Sequence, residues 1–437
     1  MWLVNDHAVK AFDEAHRERT ELQASGFAPD VLERSRAEKL DRLWDRLERV
    51  PRYRGRPGVA ERSLTDAALT AKDELKADPA GFLQSGVGPY HKYYETSGST
   101  GVPTPTPRLI EDMVWNTVSV ASLWSRLLRP GDRVVSLLPS DVAPVGDLVA
   151  SVSEYLGCTL LRGYPFSQGI TDWDRMEALF TAYRPQHVFA APGVLLQWTR
   201  LLKQRGRFAE VSAGVESLLL LGEVSTPPLR ARLAEQWGAR ALNVSYGSTE
   251  TGTVAASCEH DRLHLLAHGH LAEVLADGRA EPARAGSDGE LVVTPLNNYA
   301  RPLLRYATGD LVTVTEGCPC GIALPVVTVH GRSSERLSVA GQQVTVEAIE
   351  RLAYTTPGIT GYLVQLKRPD GAAARLVLER DVDFTGDEDA VRADVEARSA
   401  GLGITWAQVV LVSQLPQTTK AGGSRKNWKR TNLQWTD

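Results

Sequence analysis

The residues best suited to chemistry begin with a loop of hydroxyl and glycine residues at positions 96–101, Thr-Ser-Gly-Ser-Thr-Gly. Glycines let the backbone turn where a side chain would clash, so amide N–H groups can converge on one point. Amides and hydroxyls gathered in this way suit an anionic oxygen, above all that of a phosphate. The loop has neither the lysine nor the spacing of a Walker A motif. A flexible turn is the alternative interpretation.

A second stretch, Ser245 to Glu250, follows an apolar segment. Tyr246 beside Gly247 offers an aromatic face on which a purine can stack. The Thr249 hydroxyl can hold a phosphate, and Glu250 is a hard oxygen ligand suited to Mg²⁺. The alternative is a β-turn with a capping glutamate.

Two later stretches complete the set. Asp310 follows a glycine turn, where its carboxylate can accept hydrogen bonds from both ribose hydroxyls, although Thr-Gly-Asp is also a common turn. Arg332 lies beside Gly331, and its guanidinium can donate two hydrogen bonds to a phosphate. The alternative is that Arg332 belongs to an ordinary loop. The four stretches together therefore favour a nucleotide site over four unrelated turns.

Cysteine and histidine form a separate group, made of Cys258, His264, Cys318 and Cys320. Three thiols and one imidazole are a ligand set for a closed, tetrahedral Zn²⁺ site. His264 is preferred to His260 because Leu263 and Leu265 give it an apolar, strand-like context. The alternative is free buried cysteines and surface histidines. Cys158 is predicted to lie in a buried strand and to belong to the hydrophobic core.

Bulk composition narrows the class of protein. The chain has 437 residues, 43% hydrophobic and 23% charged, and a formal net charge of −4. That balance gives no basic field for nucleic acid, and the apolar runs are too short to cross a membrane. The first residues do not form a signal peptide, and four cysteines do not make a disulfide framework. We expect a reduced, cytoplasmic protein.

The elements that position these residues follow from periodicity. Residues 5–50 and 69–75 are predicted to be helical, with Thr70 capping the second segment, and residues 91–95 form a strand that leads into the glycine loop. Strands alternate with helices between residues 110 and 240, which predicts a mostly parallel sheet covered on both faces. Ligands lie at the carboxyl ends of such strands. Antiparallel β-structure is expected after residue 255, and a small α/β unit over 335–437.

Together and in this order, the four stretches resemble those of the adenylate-forming superfamily, and within it the phenylacetate–CoA ligase-like branch. Four other segments are similar to that branch: residues 43–53, which end in Val-Pro-x-Tyr, residues 69–75 with Thr-x-Lys-Asp-x-Leu, the Gly-Glu turn at 222–223, and Cys-Pro-Cys-Gly at 318–321. The resemblance covers roughly residues 40–437.

The resemblance implies an α/β fold in two domains. The large N-terminal domain, residues 1–333, would bind ATP and the acid, with parallel sheets covered by helices and a small β subdomain. The small α+β domain, residues 334–437, would carry the catalytic lysine and rotate about Ser334, which stands where relatives have Asp or Lys.

It also implies residue roles. The β,γ-phosphates of ATP would be held by Ser97, Gly98, Ser99, Thr100 and Gly101, and the adenine site would be lined by Gly222, Glu223, Val224, Tyr246 and Gly247. Thr249 would meet the α-phosphate, Glu250 would bind Mg²⁺, Asp310 would hold the ribose, and Arg332 would reach ribose or phosphate. The loop has Val102 where this branch usually has lysine. Lys426 is predicted to be the catalytic lysine, because it follows a glycine-rich turn, and Lys420 is the alternative.

The acid pocket would be built from Pro139, Asp141, Val145, Gly146 and Ser245. The segment 139–147 lacks the aromatic residues of a phenylacetate pocket and brings Asp141 and Asp147. This favours a polar aryl acid such as a hydroxy- or aminobenzoate, unless both aspartates are solvated caps. The implied reaction forms an acyl-adenylate with release of pyrophosphate and then transfers the acyl group to a thiol, of CoA or of a carrier protein's phosphopantetheine. The rival hypothesis is a non-catalytic nucleotide-binding or regulatory protein on the same fold.

Overall fold

The computed structural model describes residues 5–96, 103–167, 169–332, 337–339, 342–368, 373–415 and 432–436. The glycine loop Ser97–Gly101, Val102, Ser334, Lys420 and Lys426 lie outside these residues. By their contacts the residues form two compact units, one of residues 1–132, 139–160 and 243–333, the other of 133–138, 161–242 and 334–437. None of the described helices is both long and apolar enough to span a membrane.

The helices are α1 Asp6–Ala24, α2 Pro29–Leu47, α3 Lys72–Ala77, α4 Ile110–Trp124, α5 Pro144–Tyr155, α6 Trp173–Tyr183, α7 Pro192–Gln204, α8 Phe208–Ser212, α9 Pro227–Trp237, α10 Val346–Tyr354 and α11 Glu388–Ala400. The strands are β1 Lys92–Glu95, β2 Pro105–Arg108, β3 Arg133–Ser136, β4 Thr159–Arg162, β5 His187–Ala190, β6 Ser217–Leu220, β7 Arg240–Asn243, β8 Ser245–Ser248, β9 Gly252–Ser257, β10 Leu263–Leu265, β11 His270–Ala276, β12 Arg279–Pro282, β13 Asp288–Pro295, β14 Tyr306–Thr315, β15 Val326–Arg332, β16 Leu337–Val339, β17 Gln342–Val344, β18 Ile359–Lys367, β19 Ala374–Arg380, β20 Gln408–Val412 and β21 Leu433–Thr436.

The first unit begins with two helices where the sequence predicted one helical run. Helix α1 ends before Gly26 and Phe27, both of which have positive φ angles, and Pro29 then starts α2. Small residues on one face of α1, including Ala8 and Ala11, pack against α4. The amphipathic face of α2 adds to the core cluster that continues into the antiparallel sheet.

That sheet has eight strands in the order β12-β11-β13-β14-β15-β10-β9-β8, and each pair of neighbouring strands is antiparallel. Apolar side chains such as Leu291, Val293 and Val312 fill its buried side. Strands β1 and β2 form a separate hairpin, in which Glu95 faces Pro105, so the glycine loop connects two paired strands. The predicted strand over 91–95 and the β-structure after residue 255 are both confirmed.

The second unit contains a five-stranded sheet in the order β4-β3-β5-β6-β7, with β5 parallel to both β3 and β6. Strands β5 and β6 are buried along their whole length, as expected for parallel strands covered on both faces. The predicted α/β fold with a parallel sheet is therefore confirmed.

The same unit includes a four-stranded sheet in the order β20-β19-β18-β21, with α10 and α11. Charged side chains join this part to helices α7 and α9. Lys203 on α7 contacts both carboxylate oxygens of Asp381, at 2.8 and 2.9 Å, and Gln236 on α9 donates to the same group at 2.9 Å. Arg232 donates to the Thr356 carbonyl at 2.8 Å.

Two local predictions are wrong. Thr70 does not cap α3, because the cap position is Ala71 and the Thr70 hydroxyl donates instead to the Leu304 carbonyl at 2.7 Å. Cys158 precedes β4 and is only partly buried, because β4 is the edge strand of its sheet.

Candidate active site

Tyr246 lies on β8, and the turn Ser248–Thr251 joins β8 to β9. Gly247 is required at this point, because a Cβ atom there would collide with the carbonyl oxygen of Gly252 on the paired strand. The turn is closed by a contact of 3.0 Å between the Ser248 and Thr251 hydroxyls. The motif is therefore a strand followed by a tight turn, and the turn presents Thr249 and Glu250.

The Tyr246 hydroxyl donates to Asp310 Oδ2 at 2.8 Å. Burial, reinforced by the Asp310 charge, raises the pKa of Tyr246 well above its usual value, so the hydroxyl keeps its proton. Arg332 pairs with Asp310 in the register of β14 and β15, with Nε 3.8 Å from Oδ1. Three residues that the sequence assigned to a nucleotide site thus meet in one cluster.

A bulge in β14 turns Asp310 towards this cluster. The register with β13 skips from Leu311 to Ala307, and Gly309 has a φ angle of +78°, in the left-handed region that favours glycine. The Gly309 N–H donates to the Glu290 carboxylate at 3.0 Å. The Thr-Gly-Asp segment is therefore part of a strand rather than a free turn.

The backbone of Thr249 and Glu250 is held by two residues that the sequence analysis missed. Arg108 is buried and donates to the Thr249 carbonyl at 2.7 Å and to the Glu250 carbonyl at 3.1 Å. Asn298, also buried, donates to the Glu250 carbonyl at 3.1 Å and accepts from Arg108 at 3.1 Å. We call these two residues the Arg108–Asn298 clamp.

The Glu250 side chain fits a cation. It is 4% exposed, and among the described residues its carboxylate makes no hydrogen bond or ion pair. A buried carboxylate without a partner is costly, and a divalent cation would offset that cost. Glu250 therefore meets the requirement for a Mg²⁺ ligand.

The ends of the glycine loop are fixed even though the loop lies outside the described residues. Thr96 N–H donates to the Thr104 carbonyl at 3.1 Å, and Thr104 N–H donates to the Thr96 hydroxyl at 2.9 Å. Buried Arg301 donates to Pro105 O at 2.7 Å and to the Thr106 hydroxyl at 2.6 Å. The contacts of Arg301 attach Pro105 and Thr106, which follow the glycine loop, to the segment after β13.

The segment predicted to line the acid pocket leads into α5. Gly146 N–H donates to Pro139 O at 3.0 Å, and a Cβ at Gly146 would collide with that oxygen. Asp141 is exposed and Val145 is half-buried, as is Ser245 on β8. Asp147 is already engaged, since the Tyr94 hydroxyl donates to it at 2.8 Å and Lys92 lies 3.1 Å away. Asp141 is therefore the more accessible of the two aspartates.

In the second unit, Gly222, Glu223 and Val224 directly follow β6, at the carboxyl end of that strand. Gly193 N–H donates to the Glu223 carboxylate at 3.3 Å, and Val224 is exposed. Glu350 on α10 is buried, and burial raises the pKa of its carboxyl to about 7, with the Glu223 charge adding to the effect.

The cysteine and histidine cluster forms as predicted. The candidate ligand atoms of Cys258, His264, Cys318 and Cys320 all lie within 4.8 Å of one another. His264 Nδ1 lies 3.0 Å from the Leu324 carbonyl, which orients Nε2 towards Cys320 Sγ at 3.3 Å. Burial lowers the pKa of His264, which favours the neutral ring that binds metal. Three sulfurs and one nitrogen in this arrangement fit tetrahedral Zn²⁺.

Comparisons with known proteins agree with the geometry. The AMP-binding enzyme family model matches residues 94–297. Phenylacetate-coenzyme A ligase of Thermus thermophilus is 28% identical over 352 residues, which cover 77% of this chain and 78% of the relative. The enzyme of the same name from Aromatoleum evansii is 26% identical over 368 residues, covering 80% and 82%. The structure of 2-hydroxyisobutyryl-CoA ligase in its postadenylation state has a TM-score of 0.76 at 19% identity, covering 91% of this chain and 89% of that one.

The family match and the curated relatives support the prediction of an adenylate-forming enzyme. Among these enzymes, the relatives support the phenylacetate–CoA ligase-like branch. The protein is an acid–thiol ligase that works through an acyl-adenylate, and the hypothesis of a non-catalytic nucleotide-binding protein is set aside.

Proposed function

We propose that this ligase uses ATP to activate an aryl carboxylic acid with a polar ring substituent, such as a hydroxy- or aminobenzoate, and transfers the acyl group to CoA. The observation that carries the adenylation half is the cluster of Tyr246, Asp310 and Arg332 beside the unpartnered carboxylate of Glu250. The CoA half rests on the relatives, which are named as coenzyme A ligases.

The polar substituent is supported by the segment 139–147, which has no aromatic side chain and presents exposed Asp141. A carboxylate at this position can accept a hydrogen bond from a ring hydroxyl or amine. Asp147 plays a supporting part, because Lys92 and Tyr94 both contact its Oδ2 atom already.

In the first half-reaction, the substrate carboxylate attacks the α-phosphorus of ATP and pyrophosphate leaves in line. No covalent enzyme intermediate is needed, so the enzyme's task is positioning and neutralisation of charge. The Tyr246 ring stacks on adenine, Asp310 accepts from the ribose, and Thr249 orients the α-phosphate. Lys426 neutralises charge at the transition state. Glu250 would hold Mg²⁺, which supplies further positive charge to the phosphates when it is bound.

In the second half-reaction, the thiol of CoA attacks the acyl carbonyl and AMP departs. We propose that residues 334–437 form the mobile domain and rotate about Ser334 between the two steps, first bringing Lys426 to the phosphates and then opening a path for the thiol.

We also propose that the cysteine and histidine cluster binds one structural Zn²⁺. Its four ligands leave no open position for a substrate, which separates it from a catalytic zinc site.

An ATP–pyrophosphate exchange screen over aryl and aliphatic acids tests the proposal, followed by thioester formation with CoA and with a phosphopantetheinylated carrier protein. We expect exchange with substituted benzoates, loss of exchange in Lys426→Ala, and retention in Lys420→Ala. In Asp141→Ala, the preference for hydroxybenzoate over benzoate should fall about tenfold, the loss of one hydrogen bond to a charged group. Exchange with aliphatic acids alone would refute the aryl substrate, and transfer to the carrier alone would refute CoA as acceptor.

A further inference from the structure

The first turn of α5 is joined to β1 by a hydrogen bond and an ion pair. The Tyr94 hydroxyl donates to Asp147 Oδ2 at 2.8 Å, and Lys92 Nζ lies 3.1 Å from the same atom. The Asp147 side chain is only 12% exposed and Tyr94 is buried, whereas Lys92 is exposed. Asp147 is therefore not a solvated helix cap. We call these three residues the Lys92–Tyr94–Asp147 bridge.

A backbone hydrogen bond connects the same two parts of the chain at a second point. Glu95 N–H donates to Val142 O at 2.9 Å. Glu95 is the last residue of β1, and Val142 lies in the segment 139–147, which is predicted to line the acid pocket. This segment is thus attached to β1 both in its middle, at Val142, and at its end, at Asp147.

Strand β1 leads directly into the glycine loop. Thr96, the next residue, is bonded through both its N–H and its hydroxyl to Thr104, which follows the loop. The resemblance assigns this loop to the phosphates of ATP. The bridge therefore links the segment that is predicted to bind the acid to the strand that carries the loop predicted to bind the phosphates.

Adenylation depends on how accurately these two parts are held. The substrate carboxylate must attack the α-phosphorus in line with the departing pyrophosphate, and a small misplacement of either reactant is costly in rate. A hydrogen bond to an ionised carboxylate is shorter and stronger than a neutral one, so the bond from Tyr94 resists displacement of the first turn of α5.

We propose that Asp147 is a positioning residue for adenylation. Through Tyr94 and Lys92 it fixes the acid-pocket segment against β1, and in this way it sets the approach of the acid to the α-phosphorus without selecting which acid binds. The inference rests on the proposed function, because it assumes that the acid binds along residues 139–147 and the phosphates at the glycine loop.

The two half-reactions of the full-length enzyme test this separately. ATP–pyrophosphate exchange with the best acid from the screen measures adenylation. Thioester formation from the synthetic acyl-adenylate measures the second step, which involves no attack on the α-phosphorus. Asp147→Ala should lower kcat for exchange about a hundredfold, the cost of a shift of about 1 Å, with KM for ATP and acid unchanged. Its thioester formation should match that of the wild type.

Variants of the partners show whether the bridge acts as a unit. Tyr94→Phe should also lower kcat for exchange, and the double variant with Asp147→Ala should be no slower than Asp147→Ala alone, because both changes remove the same contact. Asp147→Asn keeps an oxygen that can accept from Tyr94, so it should lose less activity than Asp147→Ala. Glu154→Ala is the matched control, since Glu154 is exposed on the same helix, and it should behave as the wild type.

The relative kcat/KM of two acids distinguishes positioning from recognition. This ratio should be the same in Asp147→Ala as in the wild type, and a changed ratio overturns the inference, because Asp147 would then contact the substrate. Normal exchange in Asp147→Ala, an equal loss in its thioester step, additive effects of Asp147→Ala and Tyr94→Phe, or an equal loss of exchange in Glu154→Ala also overturns it. A wild type that shows no exchange with any acid would instead refute the proposed function, and the inference with it.

Discussion

Replacing Arg108 with methionine tests whether this residue positions the Thr249–Glu250 turn for catalysis, in addition to stabilising the protein. The substitution keeps the length and apolar stem of the side chain but removes its donors. Thr249 O then loses its only donor among the described residues, and Asn298 Oδ1 loses its bond from Arg108. Glu250 O keeps the bond from Asn298 at 3.1 Å.

The size of the effect follows from these contacts. A buried acceptor that loses its partner costs about 1–3 kcal/mol, so two such acceptors lower the free energy of unfolding by about 3 kcal/mol. Catalysis should suffer separately, because a shift of about 1 Å in a positioning group costs about a hundredfold in rate. We therefore expect kcat for ATP–pyrophosphate exchange to fall about a hundredfold. Asn298→Ala should cost less, since Arg108 still donates to both carbonyls.

The assay is pyrophosphate exchange with the best acid from the screen, run well below the melting temperature of each variant. Lys39→Met is the matched control, because Lys39 is a buried cation that donates to Glu18 and to the His268 carbonyl, both at 2.6 Å, and makes no hydrogen bond to the described residues of the turn. It should lower the melting temperature and leave kcat close to that of the wild type. The reasoning fails if Arg108→Met retains near-normal kcat, or if Lys39→Met loses as much activity as Arg108→Met.

Three other predictions concern the remaining features. We expect metal analysis of wild-type protein purified without added metal to detect one equivalent of zinc, and Cys320→Ser to lose it; a zinc-free wild type would contradict the proposed site. Lys203→Glu should destabilise the protein and Asp381→Lys in the same chain should partly restore it, with a coupling of about 1 kcal/mol in a double-mutant cycle; independent effects would mean that the pair contributes nothing. Glu350 has a folded pKa of about 7 against 4.5 for the free group, so the native state holds its proton longer. Unfolding free energy should therefore fall by about 3 kcal/mol between pH 4.5 and 7 relative to Glu350→Gln; parallel pH profiles of the two proteins would show that the carboxyl is solvated.

The sequence predicted those parts of the fold that periodicity controls. The short apolar runs became β3, β5 and β6, and the helix over 173–183 has the predicted bounds. Local patterns failed where a distant partner decides the outcome. The Thr70 hydroxyl is a plausible cap by position, but Leu304, far along the chain, provides an acceptor for it.

In the candidate site, too, local motifs could be recognised in the sequence, whereas contacts between distant residues could not. Tyr246, Asp310 and Arg332 could be proposed from the sequence because each lies in a short motif with its own chemistry, and the structure brings the three side chains together. Arg108 and Asn298 could not, because their role consists of contacts with carbonyl groups 141 and 48 residues away in the chain. The signal for Arg108 in the sequence is that it is the only charged residue between positions 96 and 110. His264 could be preferred to His260 as a metal ligand because a buried strand has apolar residues on either side of such a position, here two leucines.

The cysteine and histidine cluster and the cluster of Tyr246, Asp310 and Arg332 are connected by three strands, which gives the proposed zinc ion a structural role. Strand β9 starts after the turn that carries Glu250 and ends at Ser257, the residue before Cys258. Strand β14 carries Asp310 and leads into the loop of Cys318 and Cys320, from which β15 returns to end at Arg332. A strand of six residues spans about 20 Å, so a zinc ion at Cys258 would lie too far from Glu250 to take part in adenylation. By joining the far ends of these strands, it would fix their register, and register sets the positions of Asp310 and Arg332.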